Sequence, residues 1–239
     1  MDIQHNLKIM RRIMIENNTC YQQYTGSSGN RDTDGNKLSS RTIKLSNLGG
    51  PNEDFTYQLG GFNDDFWNKD TSYRNSNNCY AYACNIRISQ GHYRNFPHPG
   101  YKPHCKIPTI DTLLDGIKED GIIKIEKDMK LPSHGTKENP IWLAALLSGV
   151  IPDSEGLNVF GYHWYRVIQK DTKTCWGNKN HADPANIAKL NGKELEFNGT
   201  ASESENNLQT HTQSLGLKTV KWHGYFLIPG NISISGYRW

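Results

Sequence analysis

Two stretches of this 239-residue chain concentrate side chains able to do covalent chemistry. They are Asn77-Asn-Cys-Tyr-Ala-Tyr-Ala83, and Gly161-Tyr-His-Trp-Tyr-Arg166 followed by Cys175-Trp-Gly-Asn-Lys179. In the first, a thiol stands where a helix is expected to begin. The partial positive charge and free amides of a helix start favour the thiolate, which is the nucleophilic form. The same amides can face an oxyanion developing on a substrate carbonyl. The second stretch supplies an imidazole, the side chain best suited to act as a base near neutral pH. On a strand, His163, Tyr165 and Val167 share one face, and Tyr162, Trp164 and Arg166 the other. Asn178 follows a short turn at 171–173 and is placed to accept a hydrogen bond from His163, fixing its tautomer. Cys79 is thus the candidate nucleophile, His163 the base and Asn178 the orienter, with His181 and Asp183 as rival orienters. Asn77 and Asn78, as possible oxyanion donors, and Trp164, Tyr165 and Trp176 are the candidates for substrate contact.

The elements that must position these groups are legible in part. Cys79, Tyr82, Ala83 and Ile86 fall at helical spacing, which predicts a helix over 78–89 capped by Asn77 or Asn78. Thr109 caps a second helix with Ile110, Leu113, Leu114 and Ile117 inward and Gly121 at its end. Strands are expected over 121–126, 141–150, 160–169, 174–178 and 220–229, from alternation, a short continuous apolar run and aromatic and branched residues, with a buried helix as the alternative for 141–147. The stretch ASESENNLQTHTQS, within the polar segment 179–215, reads as an exposed loop. Ile3, Leu7, Met10 and Met14 give an amphipathic amino-terminal helix over 1–16. The Gly/Ser/Asn-rich text of 17–53 reads as a linker or loop, leaving 54–239 as the core domain. Helices first and a mostly antiparallel sheet after them make an α+β plan.

Composition narrows the function classes. The chain has 27 Lys+Arg against 24 Asp+Glu, a formal charge of +3, too small for the basic footprint of a dedicated nucleic-acid binder. No apolar run has the length of a membrane span. Five cysteines, at 20, 79, 84, 105 and 175, are an odd number without C-x-x-C spacing. A complete disulfide set or a four-cysteine zinc site therefore fits poorly. His92, His98, His104 and Cys105 cluster around a proline-rich loop but match no zinc spacing. Gly-rich phosphate loops, a Gly-x-Ser-x-Gly elbow and a carboxylate pair for glycoside chemistry are all missing. The amino terminus lacks the apolar core of a secretory signal, so the expected location is cytoplasmic, or reached by export without a cleaved signal.

The order of cysteine at a helix start, histidine on a strand and a polar residue on the next strand resembles the papain-like superfamily. NCYAYA ahead of the other two motifs is closest to its CHAP-type amidases and peptidases. The combination of NCYAYA, YHWYR and the following CWGNK also resembles a group of uncharacterised bacterial and phage-associated proteins. The resemblance covers roughly 75–230 and is concentrated in these three motifs. It implies a nucleophile helix on an antiparallel sheet, no cofactor, a protein or peptide substrate, and hydrolysis or transfer at an amide or isopeptide bond. On the matching positions Cys79 is nucleophile, His163 base and Asn178 orienter. The chain departs from the pattern in lacking an upstream Gln as second oxyanion donor, and in carrying tyrosines where many CHAP-type proteins have a Trp. An alternative from a different class is a non-catalytic binding or adhesion module, using the aromatic strand 160–169 as its surface and Arg166 as a carboxylate contact.

Overall fold

The computed structural model describes residues 21–25, 38–88, 96–100, 109–152 and 156–237. The helix expected over 1–16, and His92, His104, Cys20 and Cys105, lie outside them. In chain order the elements begin with β1 (Tyr21–Thr25), β2 (Ser39–Lys44), a 3-10 turn (Leu45–Leu48) and β3 (Asp54–Leu59). Four helices follow: α1 (Asp64–Asn68), α2 (Thr71–Ser76), α3 (Cys79–Ala83) and α4 (Ile110–Glu119). Next come β4 (Ile123–Lys124), β5 (Ile141–Pro152), β6 (Asn158–Lys170), β7 (Lys173–Asn178), β8 (Asn186–Ile187), β9 (Lys189–Leu190) and β10 (Lys193–Glu194). The chain closes with α5 (Ala201–Ser214), β11 (Lys218–Pro229) and β12 (Ser233–Tyr237).

Six strands form one antiparallel sheet in the order β4-β11-β5-β6-β7-β8. Its centre is β5, whose run Ile-Trp-Leu-Ala-Ala-Leu-Leu is buried on both faces, as the unbroken apolar text requires. Trp142, Ala144 and Leu146 face one core cluster, which holds α3 and α4 residues; Leu143, Ala145 and Leu147 face the other. That second cluster is closed by Phe55, Tyr57 and Leu59 of β3 and Leu208 of α5. The sheet is the middle layer of an α+β fold. Alternation on β6 follows the expected division: Trp164 joins the first cluster, Tyr165 and Val167 the second.

Three expectations are corrected. Residues 201–214 form a helix, not a loop. Its buried stripe is Ser204, Leu208, His211 and Thr212, with one large apolar residue, so helical spacing left no hydrophobic signal. The helix expected over 78–89 ends at Ala83. Asn85 takes a left-handed conformation (φ 54°), and the amides of Ile86 and Asn85 close onto the carbonyls of Ala81 and Tyr82. This is a C-terminal lock in which Asn does what Gly more often does. Finally, the segment expected to be a linker over 17–53 contributes β2, which pairs with β3 across the supposed boundary at residue 54. Leu38, Ile43, Leu45 and Leu48 from it are buried.

Candidate active site

Cys79 is the first residue of α3, a short helix buried along its whole length. Its start is shaped by the two asparagines before it. The Asn78 Oδ1 caps the helix by accepting from the Ala81 amide at 3.1 Å, and its Nδ2 donates to the Pro97 carbonyl at 2.8 Å. Asn77 is spent on backbone: Oδ1 accepts from the Ile88 amide at 2.8 Å, and Nδ2 donates to the carbonyls of Tyr73 (2.7 Å) and Ile88 (3.2 Å). These bonds set the direction of α3 and leave Asn77 no free donor for a substrate. The helix lies directly on β7 because position 177 is glycine. A Cβ there would stand 2.2 Å from the Tyr82 hydroxyl.

Strand β6 is longer than β7. Pairing between them starts at Tyr165 opposite Asn178, so among the described residues the preceding part of β6 has no strand on that side. The Cys79 sulfur lies against this bare edge, 4.0 Å from the Tyr162 carbonyl, with the Trp164 amide hydrogen-bonding to it. His163 is the residue between these two contacts. By alternation its ring belongs to the opposite face, packed edge-on against Tyr165 at 4.8 Å between centroids. The Cys79 sulfur thus contacts the backbone on both sides of His163, whose ring leaves the strand on the other face.

The third member is in contact. His163 Nε2 is 3.2 Å from Asn178 Oδ1. Asn178 Nδ2 donates to Asn186 Oδ1 at 2.8 Å, and Asn186 Nδ2 in turn to the Pro184 carbonyl at 3.3 Å. This chain fixes which end of the Asn178 amide faces the ring. An oxygen there makes Nε2 the donor and leaves the Nδ1 lone pair as proton acceptor. The rival orienters are engaged elsewhere: the Asp183 carboxylate accepts from Asn180 Nδ2 at 2.9 Å, and the His181 ring meets Phe96.

All three groups are buried, Cys79 at 6 % exposure, His163 at 2 % and Asn178 at 1 %. Burial pushes the Cys79 thiol up to about 12, against the pull of the Trp164, Tyr80 and Cys79 amides and the Lys179 charge. Burial drives the His163 imidazole down to about 3, against its bond to Asn178. The resting pair is a neutral thiol and a neutral imidazole. Desolvation dominates both shifts, so admitting water or a polar substrate moves both toward ordinary values.

Trp164, Tyr165 and Trp176, taken from the sequence as substrate contacts, are fully buried core residues. Arg166 is 1 % exposed, stacked 4.6 Å from the Tyr82 ring centroid rather than offered to a carboxylate. Of the aromatic residues of strand 160–169, Trp164 and Tyr165 face inward, while Phe160 and Tyr162 are half-buried with their rings in contact. Cys84 is buried and free, and Cys175 likewise. Among the described residues no group of three or more His, Cys, Asp or Glu is arranged to hold a metal ion. None of the described helices is long and apolar enough to cross a membrane.

Sequence reasoning missed three contributors. Asn186 orients Asn178; Lys179, the last residue of the CWGNK motif, lies fully buried; His98 bonds with the hydroxyl of Tyr162, whose carbonyl meets the Cys79 sulfur. Only Lys179 had a sequence signal, its adjacency to Asn178. An open groove of about 650 Å³, lined by Phe62, Asn68, Pro184, Ala185, Asn186 and Ile187 among others, touches the site through Asn186 alone. In comparisons with protein-family models, curated proteins and solved structures, the chain matches none.

Proposed function

We propose that this protein is a cysteine-dependent hydrolase or acyl transferase, of papain-like type, acting on an amide or isopeptide bond in a protein or peptide. The observation that carries the reading is the ordered relay Asn186, Asn178, His163. It presents the ring with Nδ1 unprotonated, while the Cys79 sulfur lies at a helix start against the backbone on either side of that same histidine.

The chemistry follows from these roles. His163 Nδ1 takes the Cys79 proton as the sulfur forms a bond to the substrate carbonyl carbon, giving a tetrahedral oxyanion. The backbone amides of Cys79 and Tyr80, which point at the Cys79 sulfur, donate to the oxyanion as its charge develops beside that sulfur. One such donor is worth roughly 10²–10³ in rate. The amine leaves with the proton carried by His163, and the acyl group stays on sulfur as a thioester. Water attacks next, with His163 again as base, releasing the acid and restoring the thiol; an amine acceptor in place of water makes the same cycle a transfer. Asn178 accepts from Nε2–H throughout and keeps the ring in line.

The test is selective alkylation with iodoacetamide near neutral pH, followed by peptide mapping. Cys79 is expected to react faster than Cys84 and Cys175, and His163→Ala to slow Cys79 alone. Equal rates at the three thiols, with no effect of His163→Ala, would overturn the reading.

A further inference from the structure

Lys179 is a lysine without any exposed surface, and no acidic side chain bonds to it. Its Nζ donates to three backbone carbonyls, Arg74 at 2.6 Å, His181 at 2.9 Å and Asp183 at 2.7 Å. Three acceptors match the three N–H bonds of an ammonium; a neutral amine would turn its lone pair toward one of the oxygens. The cradle is therefore built for the charged form. Burial pulls the lysine down to about 7; the Asp183 carboxylate opposes that and the Arg74 charge adds to it.

The three carbonyls come from two places that matter to the site. Arg74 is in α2, which runs directly into Asn77, Asn78 and Cys79; residues 181 and 183 are in the loop that follows Asn178. His181 adopts a left-handed backbone (φ 45°), a strained conformation for a side-chain-bearing residue, held where its carbonyl reaches the ammonium. One buried side chain thus ties the segment leading into the nucleophile helix to the segment leaving the orienter.

We propose that Lys179 is the positioning residue of the cysteine site: its ammonium holds the segment leading into Cys79 against the loop that leaves Asn178, and its charge favours the Cys79 thiolate. This rests on the functional reading above and extends it to a residue that touches neither substrate nor the reacting atoms. The charged and titratable groups around the ammonium are Arg74, His181, Asp183 and Cys79. Cys79 is the one whose ionised form both gains from the positive charge and enters the proposed chemistry.

The experiment measures Cys79 alkylation by iodoacetamide as a function of pH in the full chain and in Lys179→Met, with folding followed by circular dichroism. Lys179→Met is expected to move the alkylation profile up by about one pH unit, making the reaction about tenfold slower at neutral pH. Lys179→Arg, which keeps the charge in an altered cradle, is expected to retain the wild-type midpoint with a lower rate. A wild-type profile in folded Lys179→Met overturns the inference while leaving the cysteine reading intact. A Cys79 that is unreactive already in the wild type overturns the reading itself. Should Lys179→Met not fold, the Lys179 ¹³Cε titration is compared in Cys79→Asp and Cys79→Ser: it is expected at higher pH beside the carboxylate, and equal titrations in the two overturn the inference.

Discussion

The protonation state of the resting pair has a consequence that can be measured without any substrate. Burial takes the His163 imidazole from its ordinary 6.5 to about 3 in the folded protein. The groups facing it are Asn178, which accepts from it, Tyr165, and the more distant His211 and His181, whose charges would repel its own. Between the two pKa values the unfolded chain binds a proton that the folded chain excludes. Stability therefore rises with pH through that window and is lost as pH falls. From these two values, the loss due to His163 between pH 7 and pH 5 is about 2 kcal/mol, and by pH 4 about 3 kcal/mol. The assay is urea unfolding at the three pH values for the wild type and His163→Gln. Other buried histidines such as His98 and His211 are common to both and cancel in the difference. The wild type is expected to lose about 2 kcal/mol more than the variant on going from pH 7 to pH 5. If the site instead rested as an imidazolium–thiolate pair, the folded pKa of His163 would lie above 6.5. Its contribution would then be present at low pH and vanish as pH rose. Equal losses in the two proteins, or a larger loss in the variant, would refute the neutral resting pair.

Two further perturbations probe the frame around the pair. Asn178→Ala leaves the buried His163 Nε2–H without an acceptor, and is expected to cost about 1–3 kcal/mol in urea unfolding and to slow Cys79 alkylation. An unchanged midpoint would mean that the ring does not depend on Asn178. Gly177→Ala places a methyl 2.2 Å from the Tyr82 hydroxyl and 3.0 Å from Ile168 Cδ1, so the buried Tyr82 ring of α3 must shift. The expected penalty is about 1–3 kcal/mol, with Cys79 alkylation altered more than that of Cys175; a wild-type melting curve and unchanged alkylation would contradict the close packing.

The central strands were legible because burial on both faces writes itself as continuous or alternating apolar text; β5, β6, β7 and β11 all lie where that text is. Thr109 and Asn78 announced their helices because a capping side chain acts on amides two or three residues away, within reach of local reading. By contrast, α5 was hidden: its inner face uses Ser204, His211 and Thr212, whose burial is satisfied by partners far along the chain. The Tyr165 hydroxyl bonds to both His211 (2.7 Å) and Thr212 (2.9 Å), and no local pattern encodes that pairing. The polar segment before residue 54 was misjudged for a related reason. Strand β2 is exposed along most of its length and has one buried residue, Ile43, so it owes its existence to pairing with β3 rather than to its own hydrophobicity.

For the site, sequence by itself determined the chemical types and the local frame: a thiol at a helix start, an imidazole on an alternating strand, and an amide after the next turn. Those follow from short-range rules, namely capping, strand period and turn length. Tertiary structure alone decided that β7 stops short enough to leave an edge open beside His163, that a glycine admits Tyr82 against the sheet, and that Asn186 and Lys179 complete the arrangement. It also decided that Trp164, Tyr165, Trp176 and Arg166 face inward. The physical reason is that strand ends, close approaches and desolvation arise between segments far apart in the chain, and the pKa of a buried group is set by what surrounds it rather than by what precedes it.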